Sequence, residues 1–199
     1  MSHLENSGLK RIVLTGAPSS GKSSVMNELK SIYGKQVALV PESAVVLLSG
    51  GFPPPQHTEL AEIRAFQNSI VEVQRGLEFI LPHQNPEAKF MVFDRGTLDG
   101  AGFWPPGPED YLKQFAIDKS AEYRKFTDVL FLELPTPEMF GGVNNKRFHN
   151  YQQSLHSEQQ LEKVWSGHPG FKKISATPTL QEKIDLVSST IKKIMSCQG

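Results

Sequence analysis

Gly16-Ala17-Pro18-Ser19-Ser20-Gly21-Lys22-Ser23 decides the reading of this chain. It fits G-x-x-x-x-G-K-[ST], a loop whose glycines let backbone N–H groups approach phosphate oxygens. Upstream, Arg11-Ile12-Val13-Leu14-Thr15 is apolar and β-branched, the pattern of a buried strand. Downstream, Val25, Met26 and Leu29 share one helical face. Strand, glycine-rich turn and helix are the context the motif requires. The phosphate cradle then comprises Gly16, Ala17, Pro18, Ser19, Ser20, Gly21, Lys22, Ser23 and Ser24. Lys22 is placed to reach the β- and γ-phosphates of ATP or GTP, and the Ser23 hydroxyl to ligate Mg²⁺.

Outward from the loop, strands alternate with helices. Lys10–Thr15, Val37–Val40, Phe90–Phe93, Asp128–Leu132 and Phe171–Ile174 are the expected strands. Expected helices cover Ser23–Ser31, a long stretch opened by Thr58 as N-cap, about Tyr111–Tyr123, much of 144–165, and Thr179–Met195. The strands are apolar throughout rather than alternating, which predicts a parallel sheet covered on both faces. Ligands bind such sheets beyond the carboxyl ends of the strands, so the residues just past each strand carry the chemistry.

Asp94 follows Phe90-Met91-Val92-Phe93, the pattern of a carboxylate that holds Mg²⁺ directly or through water. Arg95 comes next, where AAA+ motors keep a water-activating glutamate. An arginine there suits charge stabilisation of a transferring phosphoryl group; a salt bridge to Asp94 or Glu42 is the alternative. Glu42, just past strand two, is placed to accept a hydroxyl proton or to bind a sugar hydroxyl. Arg64, Gln67, Gln74 and Arg75 are spaced to share one face of the long helix, either lining a pocket or facing solvent. Lys146, Arg147 and His149 suit a lid over the phosphates, with 144–165 as the lid region. Leu48-Ser49-Gly50-Gly51 imitates the ABC signature but precedes the wrong strand. Asn145-Lys146-Arg147-Phe148 lacks the aspartate of a guanine-binding motif.

The 199 residues carry 21 Lys plus Arg and 21 Asp plus Glu, a formal net charge of zero. That argues against broad nucleic-acid binding. A single cysteine, Cys197, excludes a disulfide framework and a cysteine-based zinc site, and points to a reducing, cytoplasmic setting. No apolar run is long enough to span a membrane, and residues 1–9 read as a polar tail ahead of one domain, 10–199.

Leu14 to Ser23, Val40-Pro41-Glu42-Ser43-Ala44 and Val92-Phe93-Asp94-Arg95-Gly96 together resemble the NadR-like P-loop group AAA_28, over nearly the whole chain. That group is closer to nucleoside and nucleotide kinases than to AAA+ motors. The resemblance implies a three-layer α/β P-loop NTPase fold with a five-stranded parallel sheet ordered 2-3-1-4-5. It implies Glu42 as base, Asp94 as magnesium or substrate carboxylate, Arg95 as phosphate clamp and Arg147 as lid arginine. The expected activity is γ-phosphoryl transfer from a Mg-nucleoside triphosphate to a small acceptor. The alternative is a nucleotide-dependent switch or slow NTPase acting on a protein or lipid partner.

Overall fold

Five short apolar strands build the sheet that carries the phosphate loop. The structure, a computed structural model, describes residues 9–56, 58–137, 140 and 150–196. The strands are β1 (Lys10–Thr15), β2 (Val37–Val40), β3 (Phe90–Asp94), β4 (Asp128–Leu132) and β5 (Phe171–Ile174). They lie in the order β2-β3-β1-β4-β5, every pair parallel. This is the P-loop NTPase arrangement expected from the sequence. The chain leaves β1 for β2 on one side and leaves β3 for β4 on the other, so a crevice opens at the carboxyl ends of these two neighbouring strands.

Period-two alternation splits the strands between two cores. Ile12, Leu14, Val92, Leu130 and Leu132 face α1 (Lys22–Tyr33) and α7 (Leu180–Ser196). Val13, Ala38, Met91, Phe93 and Val129 face the other layer. That layer contains α3 (Leu60–Gln84), a 3₁₀ segment over Thr97–Phe103, α4 (Pro108–Gln114), and α6 (Tyr151–Trp165). Two further short helices are α2 (Ser43–Ser49) and α5 (Lys119–Arg124).

Several local expectations are corrected. The helix expected over Tyr111–Tyr123 is two helices, broken where Ala116 takes a positive φ of 48°. The long helix is capped by Glu59 instead of Thr58, without a side-chain hydrogen bond. Gly100 to Pro108, a Gly/Pro-rich stretch whose composition reads as a loop, begins inside the 3₁₀ segment, where glycines permit close packing. A Cβ on Gly102 would lie 2.7 Å from the Leu161 side chain, and one on Gly96 2.9 Å from Trp165. α2 had no periodicity to announce it, being seven residues long. Of the candidate lid, only α6 and its N-cap Asn150 fall among the described residues. Lys146, Arg147, His149, Cys197 and residues 1–8 lie outside them.

α3 is turned relative to its own apolar stripe. Its buried residues are Ile63, Gln67, Val71, Gln74 and Glu78, three of the five polar. Phe66, Ile70, Val73 and Leu77 are half-buried, and Ile80 is exposed. At 100° per residue the buried face sits roughly 90° from the centre of the apolar stripe. A helix gives up burial in this way where its polar face has something to meet.

Candidate phosphate and acceptor site

The loop between β1 and α1 is shaped by residues with unusual backbone angles. Gly16, Ser19 and Gly21 have φ of 137°, 70° and 96°. At Gly16 the need for glycine is steric as well: a Cβ would lie 2.3 Å from the Leu132 carbonyl oxygen. Ser19 occupies the left-handed region at a modest cost for a non-glycine residue. α1 begins at Lys22 immediately after the loop, so its free N–H groups and the positive end of its dipole face the crevice.

Lys22 is folded onto its own loop. Its Nζ donates to the carbonyls of Gly16 at 2.8 Å and Ala17 at 2.9 Å, and to Ser20 Oγ at 3.2 Å. Burial and the nearby Arg95 charge lower its pKa to about 8, against the opposing pull of Asp94, Glu42 and Asp99. Ser23, one residue on, is exposed.

Arg95 organises the opposite wall. Its φ of 75° turns the backbone sharply at the end of β3. Nε donates to Glu42 Oε1 at 2.9 Å, and Nη1 to Gly16 O at 3.1 Å and Asp99 Oδ1 at 3.3 Å. Phe103 lies under the guanidinium, 5.0 Å from Cζ to ring centroid. The salt bridge to Glu42 anticipated for Arg95 is therefore present, and no ion pair joins Arg95 to Asp94 among the described residues. Burial pushes the Glu42 carboxyl up, but the Arg95 charge, the Lys22 charge and the Arg95 hydrogen bond outweigh it. The net result is a carboxylate held below its ordinary pKa, ionised at neutral pH.

Asp99 was missed in the sequence, and it holds this wall together. Oδ1 accepts from Thr15 Oγ1 at 2.6 Å and from Arg95, and Oδ2 from Gly96 N at 3.0 Å and Trp165 Nε1 at 3.0 Å. One buried carboxylate thus joins β1, the end of β3 and α6. A Walker-type pattern ends at Asp94, so nothing in the local pattern singles out a carboxylate five residues later.

Asp94 has the opposite environment. It is 7% exposed, and its Oδ1 has no hydrogen-bond partner. Burial, opposed by Lys22, raises its pKa to about 6. A buried carboxylate oxygen left open beside a phosphate loop suits a divalent cation, which would satisfy the oxygen and lower the pKa. With the Ser23 hydroxyl, Asp94 supplies oxygen donors of the kind Mg²⁺ takes.

Lys183 was also missed, because it sits inside the apolar spacing of α7. It is 4% exposed, and its Nζ donates to the carbonyls of Ser20 at 3.3 Å and Glu133 at 2.5 Å. The lysine thus ties the phosphate loop to the end of β4.

Beyond Arg95 lies a small cleft of ≈ 50 Å³, partly open to solvent. Glu42, Ser43, Ala44, Gln67, Ile70, Gln74, Arg95, Thr97, Asp99 and Phe103 contribute to its lining. Gln67 and Gln74 reach it from α3, whereas Arg64 and Arg75 are exposed, Arg75 pairing with Glu72. The four do not share one face: the glutamines lie roughly 70° around the helix from the arginines. Phe103 lines the cleft, but Trp104 does not. It is buried against Tyr111 and Phe115, with Nε1 on Asp110. Pro53, Pro54 and Pro55 are not among its lining residues.

Among the described residues no group of three or more His, Cys, Asp or Glu is placed to hold a metal ion by itself. No helix among them is long and apolar enough to cross a membrane.

Comparison with known proteins agrees with the geometry of the loop. The AAA_28 family model, described as an AAA domain, matches residues 11–183. The tRNA modification GTPase MnmE of Bartonella quintana (strain Toulouse) is 38% identical over 99 residues. The match covers 45% of this chain and 21% of that relative, so the chain spans about a fifth of its length.

Proposed function

The chain belongs to the AAA_28 family of P-loop nucleotide-binding domains, and from that membership we propose a kinase-like phosphotransferase. It moves the γ-phosphoryl group of a Mg-nucleoside triphosphate to a small hydroxyl acceptor. One observation carries this reading: Glu42, an ionised carboxylate oriented by Arg95 at 2.9 Å, stands at the junction of the cleft and the phosphate loop.

In this reading Gly16 to Ser24 receive the phosphates on backbone N–H groups, and Lys22 leaves its loop carbonyls for the β- and γ-oxygens. Ser23 and Asp94 would hold Mg²⁺, which would supply charge neutralisation for the phosphates. The acceptor hydroxyl gives its proton to Glu42 while its oxygen bonds to the γ-phosphorus. The bond to the bridging oxygen breaks, and the nucleoside diphosphate leaves. Arg95 fixes the base and adds positive charge near the transferring group. Phe103 and Ile70 offer apolar walls that limit water near the γ-phosphate.

The test is nucleoside diphosphate release with and without a library of nucleosides, nucleotides, polyols and vitamins, using both ATP and GTP. Acceptor-stimulated release supports transfer. Turnover that no acceptor raises favours a second reading, a GTP- or ATP-dependent switch or slow NTPase serving a protein or lipid partner. The partial likeness to a GTPase supports that second reading.

A further inference from the structure

The charges and open hydrogen-bonding atoms of the cleft restrict what can enter it. Its charged lining consists of two carboxylates, Glu42 and Asp99, and one guanidinium, Arg95. Arg95 is already ion-paired with both carboxylates. Its Nε is held by Glu42, its Nη1 is shared by Gly16 O and Asp99, and its side chain is only 12% exposed. Lys22 serves the other side of Glu42, at the nucleotide phosphates. An acceptor already carrying phosphate or carboxylate would therefore enter a lining of net negative charge, in which the one guanidinium is shared by two carboxylates.

The neutral polar groups point the same way. Ser43 Oγ donates to Gln74 Oε1 at 2.8 Å, and Gln74 Nε2 to Glu78 at 3.3 Å, so this pair is engaged within the protein. Gln67 Oε1 and Thr97 Oγ1 are not. The two residues are 5% and 2% exposed, and neither atom has a hydrogen-bond partner. Buried polar atoms without partners work against folding, and native proteins keep them mainly where a ligand or water completes them. Gly100 lets Gln67 and Tyr111 pack closely here: a Cβ there would lie 2.7 Å from Gln67 Oε1 and 2.2 Å from Tyr111 Oη.

We propose that the cleft selects an uncharged, hydroxyl-bearing acceptor that donates an N–H or O–H to Gln67 Oε1 and hydrogen-bonds Thr97 Oγ1. It rejects the phosphorylated form of the same molecule. The inference rests on the phosphotransfer reading. The Ile70 and Phe103 walls suit the apolar face of a small acceptor with polar substituents.

The experiment uses matched pairs: uncharged nucleosides, polyols and hydroxylated vitamins, each against its own monophosphate, assayed with Mg-ATP and Mg-GTP for diphosphate release. At least one uncharged member is expected to stimulate release, with kcat/KM at least about a hundredfold above that of its monophosphate. Gln67→Met is expected to lower kcat/KM for that acceptor about tenfold or more. It should do so without lowering the melting temperature, because it removes an unsatisfied oxygen. Thr97→Val provides a second variant with the same expectation. Equal or better stimulation by a monophosphate overturns the inference and leaves the phosphotransfer reading standing. Unchanged acceptor kcat/KM in both variants also overturns it. Release that no member of any pair stimulates removes the phosphotransfer reading and this inference with it.

Discussion

Lys22 and Arg95 share one acceptor: the Nζ of the first lies 2.8 Å and the Nη1 of the second 3.1 Å from the Gly16 carbonyl oxygen. Two cations from opposite walls of the crevice are thus held on the first residue of the loop. A phosphate group arriving on the loop competes with that carbonyl for Lys22. Its release leaves Arg95 as the remaining partner of Gly16 O and so bears on Glu42, which Arg95 orients.

Lys22→Ala should abolish measurable Mg-nucleotide binding while the chain stays folded, because its contacts are loop carbonyls and not core packing. Isothermal titration with ATP and GTP checks this, and unchanged affinity rejects the role.

The pH dependence of the same lysine has a definite sign. Its folded pKa of about 8 lies below its ordinary value, so the unfolded chain binds more protons between about pH 8 and pH 10.5. This group's contribution to apo stability therefore rises with pH across that window. Nucleotide phosphate restores the charge, so binding at pH 8 should take up as much as about half a proton. Titration in buffers of different ionisation enthalpy measures it; net proton release at pH 8 contradicts the arrangement.

Asp94→Asn separates metal binding from folding. The folded pKa of about 6 exceeds the ordinary value, so this group's stabilising effect is present at acid pH and is lost as pH rises through about 4 to 6. Above pH 7 the variant should melt at or above the wild-type temperature, while Mg²⁺-dependent turnover falls by orders of magnitude. A variant that titrates Mg²⁺ like wild type shows the carboxylate to be structural.

For Glu42→Gln the expectation is a fall of roughly 10²–10⁴-fold in acceptor-dependent turnover with little change in nucleotide affinity. The amide keeps an oxygen for Arg95 but cannot take the proton. Steady-state assays at saturating nucleotide provide the comparison, and wild-type rates exclude Glu42 as base.

Lys183→Met should weaken Mg-nucleotide binding about tenfold, with Lys183→Arg restoring part of it. The salt dependence of the dissociation constant should flatten in the methionine variant, since a buried positive charge beside the loop has gone. A change in melting temperature without any change in affinity or salt slope assigns Lys183 to folding alone.

The sheet was legible because its strands are short, apolar and punctuated, and β1, β2, β4 and β5 have the expected bounds. The phosphate loop was legible because its fixed residues are close in sequence and its backbone demands glycine. Asp99 and Lys183 were not, because their importance arises from contacts 84 and 163 residues away, Thr15 for one and Ser20 for the other. Gln67 and Gln74 were noticed together but grouped with the exposed Arg64 and Arg75, since periodicity alone does not fix how α3 is rotated against the sheet.

Asp99 collects hydrogen bonds from Thr15, Arg95, Gly96 and Trp165, and that convergence makes the wall of the crevice cooperative. Opening the 97–103 segment exposes a carboxylate that four donors had solvated. Moving α6 pulls on Trp165 and reaches the same atom. The acceptor wall and α6 should therefore open together, their amides exchanging with solvent as one unit and later than their short lengths would suggest.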